Sequence, residues 1–313
     1  MRFLTVGAND SDQRLDRFLL KYLPKASQSY LQKMIRIKKI KVNKKRAESS
    51  QELHENDEVE IYIYDEELDR FKKDEYKKST VRLNIVFENT DFAVIDKPKG
   101  ILSHAAKPAD YGKNIVDAFE TRLIATGEYV PRMEQGFRPA IVNRLDFNTE
   151  GLIIGAKNHK AMVSLNSAIA EGNVEKYYRA VCYGKIDNEI VIDKSIQING
   201  KDKNAVTIVK PIFCGNDFTY VDIKLITGRF HQIRSHLSSI GHPLIGDTQY
   251  GNGKNRKDFI NSQMLIAYKL KFKNIPNYSE WEGMEFKSDR IEKFEKLVKK
   301  LMEQEATWHI AYY

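Results

Sequence analysis

The sequence has little cysteine and no long apolar segment. Its 313 residues include only two cysteines, Cys182 and Cys214, which are too few for a disulfide framework. No apolar run approaches the roughly 20 residues that cross a bilayer, and residues 1–16 lack the apolar core of a secretion signal. We therefore predict a cytoplasmic protein without membrane attachment.

The motifs of nucleotide-dependent and metal-dependent enzymes are also absent. The chain contains no GxxxxGKS or GxxxxGKT loop, no GxGxxG, no HExxH and no paired CxxC. Three histidines, His231, His236 and His242, follow one another at spacings that match no zinc signature. We predict no metal ion and no cofactor, and we expect these histidines to be structural or to contact the ligand.

Acidic side chains are scarce in one region of an otherwise mixed chain. The formal net charge is +8, and twelve cations lie between Arg14 and Arg46 with a single acid, Asp16. This distribution is typical of a surface that binds a polyanion, either nucleic acid or an anionic membrane, although a solvated helix face is the simpler alternative. The sequence shows no basic amphipathic helix that would support binding to a membrane. The candidate phosphate-binding cations are Arg14, Arg17, Arg36, Lys38, Lys44 and Lys45.

The first 64 residues have the pattern of a separate small unit. Apolar residues at positions 15, 18, 19, 22 and 23 form one stripe of a helix that Pro24 ends, and a second helix is predicted to start at 27–29. Residues 65–80 are almost wholly polar and show no period, which favours a linker. We therefore predict a domain at 1–64, a linker at 65–80 and a second domain at 81–313.

The second domain is predicted to contain many strands and few helices. A hairpin is expected to turn at 89–91. The predicted strands are 177–183, 205–213, 218–226 and 264–272, and the predicted helices are 115–125, a segment around 162–169 and 288–303.

The segment 140–154 carries the strongest chemical signal. Two apolar runs flank a polar loop, so the pattern predicts a strand, a loop and a strand. Arg144 and Asp146 are two apart and point to the same face of an extended chain. A carboxylate beside a guanidinium stays ionised and can act as a nucleophile or a base, although a structural ion pair is the commoner arrangement.

Two further segments add candidate residues. A helix is predicted from just after Gly228 through Leu237, and on it His231 and Arg234 share one side because they are three apart. In the strand at 175–184, Tyr177 and Tyr178 point to opposite faces, so at most one lines a given pocket. Such a tyrosine either stacks on an unstacked base or packs in the core, and spacing alone favours the core.

Together these segments resemble the RluA-type family of RNA pseudouridine synthases. Residues 143–151, NRLDFNTEG, are similar to its catalytic motif, HRLDxxTSG, and TGRFHQIRSH at 227–236 with GHPLIGDTQYG is similar to its C-terminal motif. DKPKGI at 96–101 and KYYRA at 176–180 match two shorter motifs. Four motifs in the family's order are more specific than any one of them. The N-terminal residues resemble an S-four-like RNA-binding domain.

The resemblance implies both a fold and residue roles. The fold is α+β: a small α/β RNA-binding domain, then a catalytic domain built on a mixed, mostly antiparallel β-sheet with flanking helices. Asp146 falls on the catalytic aspartate, and Arg144 on the arginine that fills the space left by the flipped-out uridine. Tyr178 falls on the tyrosine that stacks on the target base, and Arg234 on the arginine that pairs with the aspartate. Further candidates for RNA contact are Lys97, Arg229 and His231.

The chain departs from the family pattern at three positions. Asn143 stands where histidine is usual, Glu150 where serine is usual, and Phe230 where threonine is common. None of them is one of the four residues with an implied catalytic role. We expect these changes to affect rate and substrate preference more than the type of reaction.

The implied activity is the isomerisation of uridines to pseudouridine in structured RNA, without a cofactor. Asp146 either attacks the ribose or removes a ribose proton. Large-subunit ribosomal RNA is favoured over transfer RNA because an accessory RNA-binding domain suggests a large substrate. The alternatives are a non-catalytic ribosome assembly factor on the same fold and another RNA enzyme such as a methyltransferase, which would require a glycine-rich cofactor loop. We expect a monomer.

Overall fold

The chain forms a small N-terminal unit followed by a domain built on a large sheet. The computed structural model describes residues 1–71, 78–129, 131, 137–198, 200–251 and 260–311, with side chains as far as Gln304. Across these residues, no helix combines the length and the apolar character that crossing a membrane requires.

The N-terminal unit packs helices against a four-stranded antiparallel sheet. Its strands are β1 Arg2–Thr5, β2 Gln13–Arg14, β3 Ile40–Val42, β4 Lys45–Arg46, β5 Glu52–Leu53 and β6 Glu58–Ile61, and its helices are α1 Leu15–Tyr22, α2 Gln28–Arg36 and α3 Asp65–Phe71. The sheet has the order β1-β6-β3-β4, and β2 pairs with β5. Leu15, Phe18 and Leu19 of α1 are completely buried, as the apolar stripe predicts. The Ser27 side chain caps α2 by accepting the Tyr30 N–H at 3.2 Å.

The structure differs from the predicted linker in its first part. Helix α3 buries Leu68 in the core of the N-terminal unit, and Arg2 of β1 pairs with Asp65 and Asp69. The prediction of a linker is therefore wrong for residues 65–71. The helix escaped the sequence pattern because Leu68 and Phe71 are too few to establish a period.

The larger domain contains the remaining strands and helices. Its strands are β7 Ile85–Glu88, β8 Phe92–Lys97, β9 Ala140–Ile141, β10 Glu150–Ala156, β11 Val174–Tyr183, β12 Ile190–Asp193, β13 Ile196–Ile198, β14 Lys201–Lys203, β15 Val206–Cys214, β16 Phe218–Leu225, β17 Leu265–Phe272 and β18 Glu285–Lys287. Its helices are α4 Ile115–Thr126, α5 His159–Ala170, α6 Gln232–Ser239 and α7 Ile291–Ala311. Short 3-10 helices lie at Ala8–Asp10, Pro108–Asp110 and Ser279–Trp281.

A ten-stranded sheet divides this domain into two faces. Its strand order is β12-β15-β16-β11-β17-β10-β8-β7, with β18 beside β17 and β9 beside β10. Among the described strands, β10 and β17 form its parallel pair, and the other pairs are antiparallel. Helices α4 and α6 cover one face, and α5 and α7 cover the other. The predicted α+β fold with a mixed, mostly antiparallel sheet is confirmed.

Gly151 permits the close approach of the parallel pair. It lies opposite Ala267 with a φ of +117°, and a Cβ atom at this position would lie 2.2 Å from the Ala267 carbonyl oxygen. A larger residue would therefore push β10 away from β17. The strand that follows the Asp146 loop is thus anchored directly to the middle of the sheet.

The N-terminal unit contacts the larger domain through Asp10. This aspartate is almost completely buried, and its Oδ1 accepts the Phe137 backbone N–H at 2.6 Å. Burial and the nearby Lys21 lower the pKa of His159 on α5, whereas Asp10 raises it. The contact fixes the position of the first 3-10 helix against α5.

Candidate active site

The loop between β9 and β10 carries Asp146, and its backbone is fixed on both sides of that residue. The Ser103 hydroxyl donates to the Leu145 carbonyl at 2.6 Å and accepts the Leu145 N–H at 3.0 Å. The Lys97 ammonium donates to the Phe147 carbonyl at 3.1 Å. These bonds hold the Asp146 backbone in place, so little reordering is needed when a ligand binds.

Arg234 connects Asp146 to a second, buried carboxylate. Its Nη1 lies 3.2 Å from Asp146 Oδ2, while Nε and Nη2 bind the two Asp247 oxygens at 2.7 and 2.9 Å. Asp247 Oδ1 also accepts the backbone N–H groups of Gln249 and Tyr250. Arg234 is thus oriented by a bidentate pair that leaves one terminal nitrogen for Asp146.

The charges of this pair are mutually stabilised. Burial opposes ionisation of both groups, but the Asp247 carboxylate raises the pKa of Arg234 above its ordinary value. In the same way, Arg234 and the backbone donors lower the pKa of Asp247 although burial raises it. A permanently charged guanidinium therefore faces Asp146.

His231 forms the second contact of Asp146. Its Nε2 lies 3.7 Å from Asp146 Oδ2, and its Nδ1 lies 3.3 Å from the Tyr250 hydroxyl. Burial lowers the pKa of His231, which disfavours the imidazolium even though Asp146 favours it. The exposed ring of Phe230 stacks on the imidazole, with 3.7 Å between centroids.

A cavity of about 830 Å³ opens beside Asp146. Its lining includes Arg144 and Tyr178, and its size lies in the range of roughly 300–1,000 Å³ typical of ligand sites. Tyr178 is buried, and both burial and the nearby Asp146 raise its pKa, so its hydroxyl stays protonated. Tyr177 packs on the opposite face of the sheet with α7. Arg144 is exposed and forms no hydrogen bond or ion pair with the residues that the structure describes.

The structure contradicts the predicted RNA contact of Lys97. This side chain is completely buried, and its ammonium donates to the carbonyls of Pro98, Ile101 and Phe147 at 2.8–3.1 Å. Burial lowers its pKa to about 7. Lys97 supports the Asp146 loop from within the protein, whereas the sequence motif alone does not reveal its burial.

Arg229 lies at the rim of the cavity on a turn that Gln232 fixes. Gln232 Oε1 accepts the Arg229 backbone N–H at 3.0 Å and the Thr227 hydroxyl at 2.8 Å. The Arg229 side chain is exposed, and its Nε donates to the Asn204 carbonyl at 3.1 Å. The guanidinium therefore extends over the rim from a rigid support.

The other two histidines occupy separate places. His236 Nδ1 lies 3.0 Å from Thr207 Oγ1 and its Nε2 lies 2.9 Å from the Lys194 carbonyl, while His242 Nδ1 lies 2.9 Å from the Tyr183 carbonyl. Both side chains support backbone segments. Within the described ranges, no three His, Cys, Asp or Glu residues are grouped so that they could hold a metal ion.

The predicted cations of the N-terminal unit lie on its surface. Arg14 binds Asp16 through two hydrogen bonds, at 2.7 and 3.1 Å, so its charge is largely compensated. The remaining five lie on α1, at the end of α2 and on the β3–β4 hairpin, and all are exposed: Arg17, Arg36, Lys38, Lys44 and Lys45.

Two departures from the family motif have structural partners. The Asn143 amide accepts the Ile154 N–H at 2.8 Å and donates to the Leu152 carbonyl at 3.2 Å, which ties the loop to β10. Glu150 Oε1 lies 3.9 Å from the Lys99 ammonium. Neither side chain contacts Asp146, so both act on the loop rather than on the carboxylate.

Sequence reasoning missed the roles of Asp247 and Gln232. Asp247 lies inside the motif GHPLIGDTQYG, but a lone aspartate after a glycine gives no indication of a partner thirteen residues away. Gln232 directly follows His231 in a polar stretch and carries no periodic signal. Both act by holding the turn and the arginine that border the cavity.

Comparisons with known sequences agree with this geometry. The RNA pseudouridylate synthase family matches residues 91–239, and the S4 domain matches residues 13–59. The chain is 32% identical over 304 residues to an uncharacterized RNA pseudouridine synthase of Aquifex aeolicus, covering 90% of this chain and 92% of that protein. It is also 32% identical over 260 residues to ribosomal large subunit pseudouridine synthase D of Nitrosomonas europaea, covering 79% and 72%.

One solved structure provides a comparison of the fold. The human RNA pseudouridylate synthase domain containing 1 is 25% identical in sequence and superposes with a TM-score of 0.50, covering 66% of this chain and 83% of that chain. Sequence and fold therefore point to the same group of proteins.

Proposed function

Because the chain belongs to the RluA-type family of RNA pseudouridine synthases, we propose that Asp146 is its essential carboxylate and large-subunit ribosomal RNA its substrate. The observation that carries the proposal is the contact between Asp146 and the buried Arg234 at the edge of a cavity that Tyr178 lines. The charged Arg234 guanidinium orients this carboxylate at the cavity edge, where a bound nucleotide would lie.

The reaction rearranges one nucleotide without adding or removing atoms. The bond between ribose C1′ and uracil N1 breaks, the base turns, and a new bond joins C1′ to C5. The proton on C5 is lost to solvent, and N1 gains a proton, so no oxidant, reductant or cofactor is consumed. Asp146 enters either as a nucleophile at the ribose or as a base that removes a ribose proton.

The target uridine must leave its base stack before it reaches Asp146. Base flipping costs a few kcal/mol, and Arg144 offsets part of this cost by entering the vacated space. Its exposed side chain has no competing partner among the described residues, which supports this role. Tyr178 then holds the extruded base by stacking, since it projects into the cavity from a rigid strand.

The substrate is proposed from two observations. The chain resembles an enzyme named for the large ribosomal subunit, and five predicted cations of its N-terminal unit are exposed and have no partner among the described residues. Transfer RNA is the second candidate substrate. The non-catalytic assembly factor is disfavoured because Arg144, Asp146, Tyr178 and Arg234 are all present around one cavity.

Replacement of Asp146 tests the chemistry. RNA labelled with tritium at uracil C5 releases its label when the new carbon–carbon bond forms, so tritium in water measures turnover. We expect Asp146→Asn to abolish release while the RNA dissociation constant stays within about threefold, because neighbouring groups are unchanged. Asp202→Asn on the exposed strand β14 makes the same change elsewhere and should retain the wild-type rate. Substantial release by Asp146→Asn would refute the assignment.

Pseudouridine mapping tests the substrate. Total RNA is compared between cells with the gene, without it, and with only the Asp146→Asn form. We expect specific sites of large-subunit ribosomal RNA to require the active gene. If sites are lost only from transfer RNA, transfer RNA is the substrate. An unchanged map would contradict the proposed function for both candidate RNAs.

A further inference from the structure

Lys176 is a buried cation that the reaction described above does not use. It lies on β11 two residues before Tyr178, so both side chains point to the face of the sheet that carries the cavity. The residue is 7% exposed. The ammonium reaches toward the turn after β16, where it lies 3.3 Å from the place that a Cβ atom on Gly228 would occupy.

This ammonium has no acidic partner among the described residues. Neither a hydrogen bond nor an ion pair of Lys176 is found there. The adjacent Glu175 points to the opposite face, where Lys224 and Lys273 bind it at 2.6 and 2.8 Å. Burial lowers the pKa of Lys176, and the nearby Arg229 lowers it further. A buried charge is costly unless an opposite charge compensates it.

Arg229 contributes the second cation of the same corner. Its backbone is held by Gln232, and Gln232 is itself fixed by hydrogen bonds to the Val206 carbonyl and the Thr207 hydroxyl. With Nε bound to the Asn204 carbonyl, both terminal nitrogens of the guanidinium stay without partners among the described residues. Two cations thus converge on one side of the cavity with no carboxylate between them.

We infer that Lys176 and Arg229 form a binding site for one phosphate of the RNA backbone, adjacent to the nucleotide whose base enters the cavity. This inference rests on the proposed function, because RNA supplies the phosphodiester. A flipped nucleotide carries its two flanking phosphates toward the protein, and a buried ammonium beside a guanidinium provides the opposite charge and several N–H donors. Bound phosphate compensates the charge of Lys176, and the absence of a side chain at Gly228 keeps the approach open.

The first test uses the full chain and inorganic phosphate, without RNA. Melting temperatures are compared in phosphate and in chloride at equal ionic strength for the wild type, Lys176→Met and Lys185→Met. In chloride we expect Lys176→Met to be at least as stable as the wild type, because an uncompensated buried charge is removed. Phosphate should stabilise the wild type and Lys185→Met by about 2–4 °C more than Lys176→Met. Equal phosphate responses would overturn the inference.

The second test uses a hairpin RNA with a uridine that the wild type converts. The phosphate on the 5′ or 3′ side of that uridine is replaced by a neutral methylphosphonate. We expect Lys176→Met to raise KM at least tenfold with kcat little changed, and Lys176→Arg to restore most of the loss. One methylphosphonate position should cause the same loss in the wild type and no further loss in Lys176→Met.

The two tests separate this inference from the proposed function. The phosphate site would be overturned if both methylphosphonate positions caused a further loss of activity in Lys176→Met. An unchanged KM of Lys176→Met would overturn it as well. If the wild type converts no RNA at all, the proposed function fails, whereas the response to inorganic phosphate still decides whether Lys176 binds an anion.

Discussion

At the scale of single residues, Arg234 binds two carboxylates, one buried and one accessible from the cavity. Asp247 accepts hydrogen bonds from two of its nitrogens and is completely buried, whereas Asp146 accepts one and borders the cavity. The two carboxylates thus have separate tasks. One fixes the guanidinium, and the other is accessible from the cavity in which the reaction is proposed to occur.

Asp247→Asn tests this division. Asparagine has nearly the same shape, but it lacks the charge and turns an N–H donor toward Arg234. We expect the arginine to reorient and the single-turnover rate at saturating RNA to fall at least tenfold, about 1.4 kcal/mol. The RNA dissociation constant should change by less than about threefold. A wild-type rate would show that Asp247 is dispensable for positioning Arg234.

Lys97 makes stability depend on pH in a defined direction. Its pKa is about 7 in the folded protein against an ordinary value of 10.5, so between these values the unfolded chain binds more protons. The free energy of unfolding attributable to Lys97 therefore rises as pH increases through this window. Between about pH 7 and 9.5, we expect the free energy of unfolding of Lys97→Met to rise by roughly 1–3 kcal/mol less than that of the wild type. Urea denaturation at both pH values measures it. Parallel behaviour of wild type and variant would contradict the expectation, and the exposed Lys185→Met is the control.

At the scale of the elements, predictions succeeded where apolar periodicity was strong. The helix predicted at 115–125 is α4, Ile115–Thr126, and the strand predicted at 264–272 is β17, Leu265–Phe272. The strand, loop and strand predicted around Asp146 are confirmed by β9 and β10, which pair with each other. These elements bury continuous apolar faces, and burial produces the period that a sequence displays.

Elements and contacts without that period could not be predicted. The β13–β14 hairpin carries the exposed residues Lys201 and Lys203, and α3 buries little more than Leu68. The burial of Lys97 depends on three carbonyls brought together by the fold. The motifs predicted the residues around the cavity, but exposed cations and buried cations are alike in sequence.

The parallel pair β10–β17 should be sensitive to a single methyl group. In Gly151→Ala the new Cβ atom would meet the Ala267 carbonyl, and alanine would also adopt an unfavourable φ. We expect the free energy of unfolding to fall by roughly 2–4 kcal/mol. Gly127→Ala, with positive φ but open space around it, should cost about 1 kcal/mol. Equal losses in urea denaturation would show that close approach contributes nothing.

At the scale of the whole molecule, the N-terminal unit is proposed to supply affinity through charge. Replacing Arg17, Lys38 and Lys44 by glutamine should reduce the slope of log affinity against log salt by about 2 to 3, since each phosphate contact contributes about 0.7–0.9. RNA binding across a salt series measures the slope. Lys185, Lys296 and Lys299 are also exposed, so their replacement removes the same charge elsewhere and should leave the slope nearly unchanged. Identical slopes for both triple variants would show that the N-terminal cations do not bind phosphate.

Asp10, through its bond to the Phe137 backbone, holds the RNA-binding unit at a set distance from the cavity. Under the proposed function, an RNA bound by that unit would bring to the cavity only nucleotides at one distance along the chain. The choice of uridine would then depend on RNA length as well as on local sequence. Lengthening the RNA stem between its contacts with the N-terminal unit and with the cavity should move the modification to another nucleotide.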